Sequence, residues 1–210
     1  MSEYSLKLDK FLIPLIANLT NPVILELGVE NGISTKKFLE LCKINEGKLY
    51  SVDIVDCSKV SEDKNWKFIK TSDDNFDFIK SEIPEKIDVL YIDSLHEAKH
   101  VKKLLYGYYH LIKKSGFIFI DDISHLPYLK NKNRNNFYCE INNKETYDML
   151  LSFYNENYGK IFLNFNFFSS GLAVIQKNSN DPLSNYNKIK TREFSLKNLF
   201  RKLFSKIKGS

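Results

Sequence analysis

The chain has 210 residues, 31 Lys and Arg against 26 Asp and Glu, a net charge of +5 and 43% hydrophobic residues. This excludes a disordered chain and suits one domain with a formed core plus a short appendage. The charge excess is too mild to mark a nucleic-acid partner, and it gathers at the C-terminus. Cys42, Cys57 and Cys139, with no C-x-x-C pair, read as reduced thiols of a cytoplasmic protein and not as a zinc cluster. The opening MSEYSLKLDK lacks a signal peptide's apolar core, and FLIPLIANL is about half the length of a bilayer span.

Residues 6–19 predict a helix that Pro14 starts or interrupts and that Asn21 and Pro22 end. Val23, Ile24, Leu25 and Leu27 then form an apolar run of strand length, broken by Glu26 and followed by Gly28, three residues and Gly32. The next segment has helical spacing, with Ile33, Phe38, Leu39 and Leu41 inward and Ser34 and Thr35 near its start. Strand, glycine turn and helix in succession make a ligand loop, because glycines admit close backbone approach at the positive end of a helix. A second strand, residues 48–52, ends on Asp53, about twenty residues past the turn, where nucleotide-binding units carry a ribose-binding acid. Otherwise Asp53 merely opens a loop.

Residues 67–70 predict a third strand, followed by Thr71, Ser72 and Asp73; Asp73 equally suits the cap of a helix running to Ser81. A fourth strand, residues 87–92, ends on Asp93, with His96 three residues on. A helix over 98–112 turns Val101, Leu104, Leu105, Tyr108 and Ile112 inward, carrying His100 and His110 as structural residues, and Lys113, Lys114 and Gly116 close it. A fifth strand, residues 117–120, ends on Asp121 and Asp122, with His125 three residues beyond. Residues 126–143 predict a polar loop, 145–157 a helix, and two apolar runs joined by Phe168, Ser169 and Ser170 a closing antiparallel hairpin. Alternating strands and helices imply a parallel sheet with these acids at its carboxyl edge.

The E-x-G-x-x-x-G turn resembles motif I of the class I S-adenosylmethionine (SAM) dependent methyltransferases. The succession D-x-x-H, helix, K-x-G and D-D resembles their small-molecule and sugar O-methyltransferases over roughly residues 20–177. The resemblance implies an α/β, Rossmann-like, doubly wound sheet of seven strands, mostly parallel with the last antiparallel, and an enzyme of the EC 2.1.1 class. It assigns residues 1–178 to the methyltransferase domain and 179–210 to a linker and a basic amphipathic helix.

Within that frame SAM is the expected cofactor. Glu26, Gly28, Gly32 and Ser34 would form its turn, Asp53 would hold the ribose, and Ser72 or Asp73 would meet the adenine. Asp93 borders both cofactor and acceptor. Asp93, Asp121 and Asp122 would hold Mg²⁺, since converging carboxylates need a cation or proton between them and such a metal would activate a bound hydroxyl. Alternatively Asp122 caps the next segment and Asp93 binds backbone. His125, with Asp93, is the catalytic candidate, a base near neutral pKa, while His96 would orient a loop.

The expected acceptor is a sugar or glycan hydroxyl or another small molecule, selected by the 126–143 loop. Past Lys177 the composition turns linker-like, then sets Phe194, Leu196, Leu199, Phe200, Leu203, Phe204 and Ile207 against Arg192, Lys197, Arg201, Lys202, Lys206 and Lys208. That pattern suits peripheral contact with an inner membrane face, or docking on this domain or a second copy in a homodimer. A non-catalytic module recruited to membrane or RNA, and a metal-independent N-methyltransferase, are the competing readings.

Overall fold

Apolar runs bounded by turn residues become seven strands because each can bury both faces between helices. The computed structural model describes residues 2–125, 137–184 and 195–208, with the backbone alone at 137, 138, 202, 203 and 205–208. The strands are β1 Val23–Leu27, β2 Lys48–Asp53, β3 Trp66–Lys70, β4 Ile87–Ile92, β5 Ile112–Asp121, β6 Ile161–Asn166 and β7 Leu172–Lys177. Their order is β3-β2-β1-β4-β5-β7-β6, with β7 running opposite to the other six. The doubly wound sheet expected from the sequence is therefore present.

Helices α1 Glu3–Lys7, α2 Ile13–Ile16 and α3 Ile33–Ile44 cover one face, with Leu8, Leu12, Ile16, Phe38 and Leu39 packed on Ile24, Leu49, Val89, Tyr91 and Phe119. Helices α4 Phe76–Glu82, α5 Ala98–Tyr108 and α6 Phe137–Asn157 lie over the other face, where Ile79, Val101, Leu104, Leu105, Leu150 and Phe153 join Leu25, Leu27, Leu90, Ile92 and Ile118. A further helix, α7 Leu196–Lys208, follows in the tail. Between α1 and α2 the chain makes a π-helical turn over Leu8–Leu12. Pro14, near the start of α2, has no N–H to donate and its ring crowds the carbonyl four residues back, so a wider turn suits the join.

Four elements differ from the sequence expectation. Ile33 is 39% exposed, and Ser34 and Thr35 are the residues that α3 buries beside Phe38. Lys113, Lys114 and Gly116 do not close α5, which passes through a 3₁₀ turn at Tyr109–Leu111 straight into β5. Ile112 already pairs with Ile87, the chain bulges, and pairing resumes at Val89 and Phe117. The left-handed residue in that bulge is Ser115, at φ 67°. Asp73 does not cap α4; Asn75 stands at that position. Finally, α6 begins at Phe137, so residues 137–143 of the expected loop are helical, while 126–136 lie outside the described residues.

Candidate active site

The glycine turn is held from below by a buried acid. Glu26, fully buried on β1, accepts hydrogen bonds from Ser34 Oγ at 2.5 Å, Thr35 Oγ1 at 2.8 Å and Ser51 Oγ at 2.6 Å. One carboxylate thus ties β1, the first turn of α3 and β2 together. Burial pushes Glu26 up from the ordinary 4.5 to about 7, with the three hydroxyls pulling the other way. Ser34, expected at the cofactor, faces Glu26 instead. Asp53 Oδ2 accepts from Val29 N at 2.9 Å and Glu30 N at 3.3 Å, and Oδ1 from Val55 N at 2.8 Å. The acid that ends β2 therefore pins the turn across the crevice.

Both glycines of the turn have positive φ, and each lacks room for a side chain. A Cβ on Gly28 would lie 2.0 Å from the Asp93 carbonyl oxygen, and one on Gly32 2.1 Å from Val60 Cγ1. Their first service is to let the turn nest against β4's end and the Ser58–Val60 turn. Gly32 caps α3 without a side-chain acceptor, so no side chain competes for the first-turn amides.

At the β3 edge, Asp73 is buried and bonded to Ser94 Oγ at 2.5 Å and His100 Nε2 at 2.9 Å, while Tyr108 donates to its backbone oxygen at 2.6 Å. Ser72 is exposed and donates to Asp74 Oδ1 at 2.5 Å. Asp73 therefore links β3 to the loop after β4 and to α5.

The β4–β5 edge brings Asp93, Asp121 and Asp122 together, as the resemblance implies, but with unforeseen partners. Lys7 of α1, fully buried, forms an ion pair with Asp121 Oδ1, and also donates to Ser170 Oγ at 2.6 Å and Gly171 O at 3.3 Å. Asp121 Oδ1 further accepts from Ser170 Oγ at 2.9 Å and Asp122 N at 2.7 Å, and Oδ2 from Tyr91 OH at 2.8 Å. Tyr4 OH lies 2.5 Å from Asp93 Oδ2 and 2.9 Å from Tyr91 OH, which is itself 3.1 Å from Asp93 Oδ2. Two hydroxyl protons serve these four oxygen contacts, so the cluster is best satisfied when Asp93 keeps a proton. Burial, then the Asp121 carboxylate, push Asp93 in that direction. Burial chiefly raises Asp122 as well, and it holds the Tyr4 and Tyr91 hydroxyls protonated.

This arrangement does not fit a three-carboxylate Mg²⁺ site. Mg²⁺ needs oxygens at about 2.0–2.1 Å in near-octahedral array, whereas both Asp121 oxygens and Asp93 Oδ2 already hold protein donors. Among the described residues no three His, Cys, Asp or Glu side chains are grouped to hold a metal ion. Asp93 Oδ1 and Asp122 Oδ2 remain beside His96 Nε2, at 3.7 Å and 3.3 Å.

His125 lies among aromatic rings, with centroids 4.6 Å from Tyr147 and 5.5 Å from Phe167, and its buried Nδ1 has no hydrogen-bond partner among the described residues. It is the sequence-expected base, yet the histidine nearest the carboxylates is His96. A groove of about 390 Å³ at Ala17, Asn21, Ile44 and Asn45 lies by the start of β1, at the opposite end of the sheet from these groups. It contains none of the chemistry above.

Sequence reasoning missed Tyr4, Lys7, Tyr91 and Ser170. A signal existed: Tyr4, Lys7, Leu8 and Phe11 share a helical stripe, and a lysine on an inward stripe requires an anion.

A sheet of this order, with a latched glycine turn after β1 and acids ending β2, β4 and β5, has the methyltransferase form of the Rossmann-like fold. Residues 25–123 match the family described as a methyltransferase domain. Among solved structures, MycE from the mycinamycin biosynthetic pathway, in complex with Mg and SAH, aligns at TM-score 0.63 and 18% identity over 80% of this chain and 49% of MycE. A candidate caffeoyl-CoA O-methyltransferase from Staphylococcus aureus aligns at TM-score 0.63 and 19% identity over 85% of each chain. SAH-bound PaMTH1 from Podospora anserina gives 0.60 and 16% over 75% of this chain and 72% of its own. At these identities the likeness is one of fold, and the chain spans about half the length of MycE. No curated protein matches it in sequence.

Proposed function

We propose that the protein is a SAM-dependent O-methyltransferase acting on a hydroxyl of a sugar, a glycan or another small molecule. The observation that carries this reading is the glycine turn pinned by Asp53, set beside a carboxylate-rich edge on β4 and β5. MycE and PaMTH1 were solved with SAH, and MycE also with mycinamycin VI, which supports both the cofactor and a small-molecule acceptor.

SAM, when bound, supplies the methyl sulfonium. The Gly28–Gly32 turn and the first-turn amides of α3 would receive its amino-acid end. Asp53, already orienting that turn, would meet the ribose, and the Ser72–Asp73 segment would border the adenine. His96, held between Asp122 and Asp93, is assigned the acceptor hydroxyl's proton in preference to His125. His125, Tyr147, Phe165 and Phe167 offer ring faces on which a sugar or aromatic acceptor could stack. Alignment of donor and acceptor supplies most of the catalysis, because the sulfonium is already reactive.

Calorimetric titration of S-adenosylhomocysteine tests the reading. Micromolar binding is expected, weakened about tenfold or more (about 1.4 kcal/mol) by Asp53→Ala. No binding at high concentration would sink it.

The tail supports a second element of the proposal, contact with an anionic bilayer. No helix among the described residues is long and apolar enough to cross a membrane. In α7, however, Leu196, Leu199, Phe200 and Phe204 are all exposed at helical spacing, with Lys197 and Arg201 in the same segment. Each basic group near an anionic leaflet contributes about 1 kcal/mol. Sedimentation with phosphatidylserine vesicles should capture the full chain and lose it on deletion of residues 195–210; equal capture by phosphatidylcholine vesicles would refute the charge-based account.

A further inference from the structure

We infer that Lys7 is this protein's own cation at the carboxylate edge, taking by a side chain the place expected of a divalent metal. The inference deepens the O-methyltransferase reading and rests on it for its bearing on the acceptor. Three features carry it.

The ammonium is fully buried, and its three N–H groups have three acceptors: Asp121 Oδ1, Ser170 Oγ and Gly171 O. An ammonium satisfied in this way is not a surface charge that has strayed inward. Its helix is also fixed in place. Leu8, Leu12 and Ile16 are buried against the sheet, Asp9 pairs with Lys37 at 2.5 Å, and Asn45 Nδ2 donates to Ala17 O at 2.7 Å and Leu19 O at 2.9 Å. Finally, the charge sits where a metal would need Asp121. A divalent ion can recruit that carboxylate only by stranding a buried ammonium without its counter-ion, and that penalty opposes binding.

The consequence concerns the substrate. A metal site selects acceptors that chelate, such as vicinal diols. With Lys7 neutralising Asp121, the edge left to the acceptor is Asp93 Oδ1, Asp122 Oδ2 and His96, groups that engage a hydroxyl singly by hydrogen bonds. The acceptor class therefore extends to compounds presenting one lone hydroxyl.

Titration of Mn²⁺ into the full chain, followed by electron paramagnetic resonance, tests this without any acceptor. Wild type should show no stoichiometric Mn²⁺ binding in the micromolar range. Lys7→Met, which takes the counter-ion from Asp121 and leaves a net negative cluster, should raise Mn²⁺ affinity about tenfold or more, the range that neighbouring groups command over a metal. One equivalent of Mn²⁺ bound tightly by wild type and weakened by Asp122→Asn would overturn the inference. That arm does not depend on Lys7→Met folding. Titration of S-adenosylhomocysteine on the same samples keeps the two readings separate, since its failure would remove the methyltransferase reading and leave the Mn²⁺ result standing.

Discussion

Two fully buried carboxylates on the same face of the sheet are stabilised by opposite means. Glu26, under the glycine turn, is held by three hydroxyls and no cation, all within residues 26–51. Asp121, at the end of β5, is held by the Lys7 ammonium from 114 positions away, with Tyr91 and Ser170. Hydroxyls can serve either protonation state of an acid, so burial dominates and Glu26 is pushed up to about 7. An ammonium in contact requires its carboxylate charged. The glycine-turn half is thus a hydroxyl-lined, locally built cradle, and the β4–β5 half a charged cluster assembled by tertiary contact.

The largest effect should come from breaking the charged cluster. Lys7→Met leaves Asp121 buried without its counter-ion and should cost about 3–5 kcal/mol in urea unfolding at neutral pH. A loss under 1 kcal/mol (about the worth of an exposed pair) would mean that the pair behaves as if solvated. Next comes Gly28→Ala, which sets a Cβ 2.0 Å from the Asp93 carbonyl oxygen at φ +97°. It should destabilise by about 3 kcal/mol and abolish binding of S-adenosylhomocysteine, because turn and β4 must part.

Glu26→Gln probes the hydroxyl-lined cradle through pH. Glu26's folded value is about 7 against 4.5 free, so the native state holds the extra proton between those values. Stability from this group is complete below 4.5, falls as pH rises, and is gone above 7, a loss of about 3 kcal/mol across the window. Gln keeps the shape without titrating, so urea unfolding from pH 4.5 to 7 should show a flatter profile for the variant. An unchanged slope would assign the pH dependence elsewhere. Ser170→Ala is the mildest lesion: it removes one of Lys7's three acceptors and should cost about 1 kcal/mol by the same measurement.

Much of this protein was legible without coordinates, wherever the determining contacts are close in sequence. Short apolar runs and the turn residues between them were enough for seven strands, and Gly28 and Gly32 for the tight turn, because a strand, a tight turn and a helix are specified by neighbours. The tail helix was legible for the same reason, its apolar and basic residues recurring at helical spacing. Even the shared face of Tyr91, Asp93, Phe119 and Asp121 follows from strand alternation.

Tertiary structure decided the rest. It turned Ser34 to Glu26 and Asp73 to Ser94 and His100, placed Ser115 in the β5 bulge, and set His125 among aromatic rings. Above all it brought Tyr4 and Lys7 onto acids some ninety and more than a hundred positions away. The physical reason is that a carboxylate's partner is chosen by burial and distance in space, and local pattern carries no record of which distant helix will cover a strand's end.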